Sequence, residues 1–179
     1  MGQKPQVLQG QGGFTLIELM VTIAVLAIVV TIAAPSFTTM IHNNQSVALG
    51  EELVTAINFA RAEAVKRGDN VSICASSDGT TCGGNWTQGW IVVADNASGA
   101  AAPNPDGNPL RAWEAPNGNA VITVTPGFIR FTRLGTRPRT AGAGDVTITS
   151  SVTGCGSNAA RTITVGLAGL INSSRSDCQ

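Results

Sequence analysis

Residues 14–34 read FTLIELMVTIAVLAIVVTIAA, 21 positions with a single charge, Glu18. As an α-helix this run is about 30 Å long, enough to cross the hydrocarbon core of a bilayer. A secretory signal would put a small-residue cleavage site after the apolar run. Here Pro35-Ser36-Phe37 follows, and the Gly12-Gly13 pair lies before the run instead, behind a 13-residue opening whose one charged side chain is Lys4. A stand-alone membrane anchor accounts for the length of the run. It does not account for Glu18, a carboxylate that is costly in a membrane unless something pairs with it.

After the run the pattern changes. Pro35 removes one backbone hydrogen bond, so it bends or breaks a helix passing through it. Phe37 and Ile41 follow, then the polar stretch 42–46, HNNQS. Helical periodicity then returns: Leu53, Ile57, Ala60 and Ala64 recur at spacings of four, three and four, forming one stripe. Glu51, Glu52, Arg61, Glu63, Lys66 and Arg67 take the other faces, with Glu63 and Arg67 spaced for an i,i+4 pair. Arg67-Gly68-Asp69 reads as a stop, a basic last turn followed by glycine. The expectation is one long helix, half of it in a membrane and half packed on a globular head, with His42 exposed at the junction.

Beyond residue 70 the period shortens to two. Residues 71–73, 122–124, 129–131, 146–148 and 163–165 alternate apolar and polar positions and 91–93 is a short apolar run, with Thr147, Thr149, Thr162 and Thr164 on outward faces. Short runs of this kind between Gly, Pro and Asn predict antiparallel strands. Thr125-Pro126-Gly127-Phe128 carries a type II turn signal. No strand–helix–strand spacing appears, so a parallel sheet is not expected. The fold class is therefore α+β, one long N-terminal helix packed on an antiparallel β-sheet head. Residues 97–109 (ASGAAAPNPDGNP) read as an exposed flexible loop. Trp86, Trp90 and Trp113 are assigned to packing rather than to a ligand box.

Four cysteines remain. Seven residues separate Cys74 from Cys82, and 22 separate Cys155 from Cys178. Zinc sites favour C-x₂₋₄-C pairs with further ligands to match, and thiol redox chemistry favours C-x-x-C. Two disulfides in an oxidising compartment fit better, and sequence alone permits three connectivities. Cys74–Cys82 with Cys155–Cys178 is the favoured pairing, because each bridge closes a local loop and the second secures a polar tail.

Charge narrows the function classes. Lys+Arg and Asp+Glu number 11 each, which removes the broad basic footprint of a dedicated nucleic-acid binder. Arg130, Arg133, Arg137 and Arg139 nevertheless crowd into ten residues, with no acid between Glu114 and Asp145. Such a cluster would make a local positive face able to contact phosphates, or else a solvated loop or subunit interface. A single histidine leaves little room for a His-based triad or a multi-His metal site. No nucleophile–base pair, phosphate loop or metal spacing is found, so neither an enzyme nor a cofactor is expected.

The string GG-FTLIELMVTIAVLAIVVTIAAPSF resembles the class III leader of type IV pilins and type II secretion pseudopilins. The resemblance implies a leader, residues 1–13, cut after Gly13 by a prepilin peptidase that also methylates the new N-terminus, Phe14. Glu18 becomes the fifth mature residue, and Pro35 falls where the family has a helix-bending proline. Positions 14 and 18 lie one helical turn apart, so the new α-amino group can pair with Glu18 in its own chain or in a neighbour. The inter-subunit pairing is the family's assembly register.

The segment LVTAINFARAEAVKRGDNVSIC, then Asp78-Gly79, Cys82 and W-x-x-G-W-I-V-V from Trp86, resembles the FimT/FimU/GspH group of minor pilins and pseudopilins. Phe128-Ile129-Arg130-Phe131 and Leu134-Gly135 resemble a later segment of that group. The implied organisation is a leader at 1–13, a membrane and filament-packing helix half at 14–35, an amphipathic half at 36–69 and a β-rich head at 70–179. The implied function is a minor pilin at or near the tip of a type IV pilus, supporting assembly, twitching motility, adhesion or DNA uptake. Its partners would be other pilins, the prepilin peptidase and, before assembly, the bacterial inner membrane, with the head periplasmic. The alternatives are a minor pseudopilin of a type II secretion system and a DNA-binding competence pilin. DNA-binding members of the FimT branch use a C-terminal G-R-x-R motif; the comparable GLINSSR at residues 169–175 lacks its paired arginines.

Overall fold

The computed structural model describes residues 13–99, 101–125, 127–139 and 144–178, apart from the side chains at 34 and 35. Most of the expected leader, residues 1–12, lies outside that set, as does Pro126 of the expected turn. Helix α1 runs Leu16–Arg67, and eight strands follow: β1 Val71–Ala75, β2 Trp90–Ala94, β3 Arg111–Trp113, β4 Ala120–Thr125, β5 Phe128–Phe131, β6 Val146–Val152, β7 Ala160–Val165 and β8 Ile171–Ser176. The chain forms two compact units, Met1–Thr38 and Thr39–Gln179.

The second unit contains the core. The predicted stripe Leu53, Ile57, Ala60 and Ala64 is fully buried, joined by Leu49 and Ala56. The helix stops where its sequence says it should: Gly68 takes φ 69°, which lets its own N–H and that of Asp69 both reach the Ala64 carbonyl. The Glu63 carboxylate receives Arg67 Nε at 2.9 Å and Lys66 Nζ at 3.1 Å. Those bonds, Arg67's first, hold it below the usual carboxylate range.

All strand pairings are antiparallel, in two four-stranded sheets ordered β3-β2-β1-β5 and β4-β6-β7-β8. Consecutive β4 and β5 belong to different sheets, so the chain changes sheet between residues 125 and 128. All six predicted strands are present. The other two, β3 and β8, are edge strands. In the first sheet Val71, Ile73, Trp90, Val92, Ile129 and Phe131 face the core shared with α1. The second sheet supplies Val146, Ile148, Val152, Ile163 and Val165 to the same core.

Trp86, Trp90 and Trp113 are packing residues in this core. Trp90 and Trp113 stack with centroids 6.5 Å apart, and Phe59 of α1 meets Trp113 edge-on at 6.0 Å. His42 differs from its expected exposure. It is half-buried, and a Cβ at Gly154 would lie 2.7 Å from its Nδ1, so the turn after β6 covers the ring.

Candidate functional site

The start of α1 is capped by Thr15, whose Oγ1 accepts the Glu18 N–H at 3.3 Å while its carbonyl accepts Leu19 N–H at 3.2 Å. Thr15-Leu16-Ile17-Glu18 is the T-x-x-E pattern of a helix N-terminus, a signal legible in the sequence but passed over in its reading. It gives Glu18 a local role beside any assembly role, because a first-turn carboxylate opposes the positive end of the helix dipole.

From Phe14 onward the apolar side chains project on every face. Phe14 is 82% exposed, Leu16 76% and Ile32 73%, and the large apolar residues between them are all more than half exposed. A helix apolar all round must be covered by lipid or by other helices. Its polar groups are arranged for that. Thr22 Oγ1 donates to the Leu19 carbonyl at 2.8 Å and Thr31 Oγ1 to the Ile28 carbonyl at 2.7 Å, so neither hydroxyl needs water. Glu18 is exposed, with no partner for its carboxylate among the described residues. Gly13 and Phe14 are exposed just ahead of the helix. The backbone stays helical through position 35, so Pro35 does not break α1.

The arginine cluster does not form one face. Arg130 is 2% exposed. Its Nη2 lies 2.7 Å from Asp95 Oδ2 and its Nε 2.8 Å from the same oxygen, while Nη1 and Nη2 donate to the Gly99 and Ala101 carbonyls. Asp95 also accepts the Ser72 hydroxyl and the Ala97 and Asn104 N–H groups. Burial by itself would push Asp95 up, but these hydrogen bonds outweigh it and hold the carboxyl below its ordinary value. Arg137 is 8% exposed and donates through Nη1 to the Gly144 and Val165 carbonyls. Burial lowers its pKa, partly offset by Asp145. Only Arg133 and Arg139 of the four are exposed. A positive face of all four is thus reduced to two exposed arginines, because the register of β5 puts Arg130 on the sheet face away from α1, where Asp95 and the Gly99 and Ala101 carbonyls enclose it, and backbone carbonyls draw in Arg137. Asp95, the residue that organises this region, was missed in the sequence because a carboxylate ending an apolar strand reads as a turn.

The same network changes the reading of residues 97–109. They are largely exposed, but Arg130, Asp95, an Asp95–Pro105 bridge and the bonds Asn96 N–H to Asn104 O and Asp106 N–H to Ala94 O anchor them; Ala100 lies outside the described residues. Cys74 is bonded to Cys82 and Cys155 to Cys178. The first bridge sits with Ile91, Val93 and Phe128 in a small second cluster on the face of the first sheet away from α1. Among the described residues no group of three or more His, Cys, Asp or Glu converges as a metal site would require.

A family model described as type II transport protein GspH matches residues 49–169, and one for the prokaryotic N-terminal methylation motif matches residues 8–34. Among solved structures, the type IV minor pilin FimU of Pseudomonas aeruginosa strain PAO1 matches with a TM-score of 0.52 at 24% identity, over 72% of this chain and 87% of that one. A second crystal form of FimU matches with a TM-score of 0.49 at 24% identity, over 71% and 90%. At that identity the likeness speaks to the fold, one long helix with antiparallel sheets. No curated protein matches the chain.

Proposed function

Because this chain belongs to the GspH family of minor pilins and pseudopilins, we propose that it is a minor structural subunit of a type IV pilus, seated at or near the tip. Residues 1–13 are a leader cut by the prepilin peptidase after Gly13, and Phe14 becomes the methylated N-terminus. The subunit waits in the inner membrane with its head in the periplasm, then exchanges lipid for the helices of other pilins. One observation carries this reading: an exposed helix, apolar on all sides, whose unpaired carboxylate Glu18 lies one turn from Phe14. A cationic α-amino group from a neighbouring subunit satisfies that carboxylate, and it does so at one axial register. Pro35 bends the helix in the same packing.

In Glu18→Ala the chain should be processed and retained in the membrane but fall about tenfold or more in sheared pili, a change equivalent to about 1.4 kcal/mol or more. Normal recovery in pili would overturn the role of Glu18. A second reading has its own support, since the matching family model is that of a type II transport protein. Under it the same subunit joins a short periplasmic pseudopilus. Deletion separates the two: loss of twitching with secretion intact favours the pilus, and the reverse favours the secretion system.

A further inference from the structure

Two turns meet at one end of the second unit and present leucines to solvent. The first is closed by Gly135 N–H to Thr132 O at 2.8 Å and Thr132 N–H to Thr136 O at 2.7 Å, and carries Leu134, 75% exposed. The second is closed by Gly169 N–H to Gly166 O and Gly166 N–H to Leu170 O, both 2.9 Å, and carries Leu170, 71% exposed. They are tied together. Arg137 N–H donates to the Leu167 carbonyl at 3.0 Å, and Gly169, at φ 76°, packs so closely that a Cβ there would overlap the Gly135 carbonyl oxygen. Arg61 of α1 donates Nε to that same oxygen at 3.1 Å. Val65, 54% exposed, borders Gly135. Arg133 and Arg139 flank the leucine turn, exposed and without an acidic partner among the described residues. A surface held this firmly and left this apolar marks an interaction site.

The same head carries its complement. Ala48 and Leu49 of α1, Ala115, Pro116 and Val152 line an open groove of about 280 Å³ with Glu52 on its rim, and Glu114 is exposed beside Ala115. Neither Glu52 nor Glu114 has a cationic partner among the described residues. The geometry points to a second copy of this chain as the occupant: the Leu134 turn of one copy enters the groove of the next, with Arg133 and Arg139 opposite Glu52 and Glu114. Two different surfaces meet, so the contact is head-to-tail and leaves each end free to continue. Leu49 and Val65 are 16 residues apart on α1, so successive copies would be displaced by about 24 Å along it. This rests on the reading of the chain as a filament subunit.

The test places the photo-crosslinking amino acid p-benzoylphenylalanine at position 134 of the full-length chain in living cells, a position too exposed to disturb folding. The filaments are irradiated and sheared, and the products are mapped by mass spectrometry. A dimer of this chain linked from 134 to residues 45–52 or 115–117 is expected. Arg133→Glu with Arg139→Glu should reduce that dimer about tenfold or more, since opposed like charges disfavour the contact, and Glu52→Arg with Glu114→Arg should restore it. A link to a different subunit, a link elsewhere on the second copy, or a crosslinker-bearing chain that enters filaments yet yields no dimer overturns the inference while leaving the pilin reading intact. Unmodified chain missing from filaments altogether overturns both.

Discussion

In the first sheet every residue of β1 is buried, whereas in the second sheet β4 alternates half-buried and exposed along all six of its positions. The two sheets share one core and one strand chemistry, so the difference lies in their outer faces. Over the first, the Cys74–Cys82 bridge packs with Ile91, Val93 and Phe128, and residues 97–99 and 101–105 form a lid held by the Arg130–Asp95 pair. Over the second the outer face is mostly open, closing only at the end where Ser151 and Ala160 are buried. Its outer face is rows of short polar side chains, Thr123–Thr149–Thr162–Ser174 and Thr125–Thr147–Thr164–Asn172. One four-stranded sheet thus needs water-excluding cross-links and a satisfied ion pair. The other needs only hydroxyls. The helix of the first unit is a third case, an apolar surface that none of the described residues covers.

That contrast can be broken at the ion pair. Arg130→Ala strands a buried carboxylate and removes the anchor of residues 97–105, so it should destabilise the head by about 3–5 kcal/mol. Urea unfolding followed by tryptophan fluorescence reads this directly, because Trp86, Trp90 and Trp113 all lie in the core beside the first sheet. Cys74→Ala with Cys82→Ala opens the lid from its other side and should cost about 2–4 kcal/mol by the same measurement.

Acid sharpens the comparison. Asp95 has a folded pKa below its unfolded value, so its contribution is present above about pH 3.9 and is lost as pH falls through the folded value. Unfolding free energies should therefore drop below about pH 4 in the wild type, and Asp95→Asn, although less stable at neutral pH, should show a shallower drop. The smallest effect belongs to the open face. Thr123→Val should change stability by no more than about 0.5 kcal/mol; a loss approaching that of Arg130→Ala would mean that the second sheet is covered as the first is.

How much of this was legible beforehand follows from how local each signal is. The stripe on α1, its stop at Gly68 and six strands come from periods of 3.6 and 2 within a few residues, and all are present. β3 and β8 escaped notice because RAW is only three residues long and INSSRS has no apolar alternation to find. Arg130 and Arg137 were read as surface charge because density along the chain is not density in space. Their acceptors are Asp95, Gly99, Ala101, Gly144 and Val165, up to 35 residues away.

The sequence by itself determined that this chain has an apolar helix with one carboxylate, a second helical stretch with a single buried stripe, and a β-rich head with an even set of cysteines. Each of these is a statement about side-chain chemistry at fixed local spacing, which the backbone periods convert into a face or an end. The tertiary structure alone decided which strands share a sheet, which sheet is lidded, which arginines remain at the surface, and that the turns carrying Leu134 and Leu170 are joined. Those outcomes depend on burial and on hydrogen bonds between residues far apart in the chain, and a buried guanidinium or carboxylate is stable only where distant partners satisfy it.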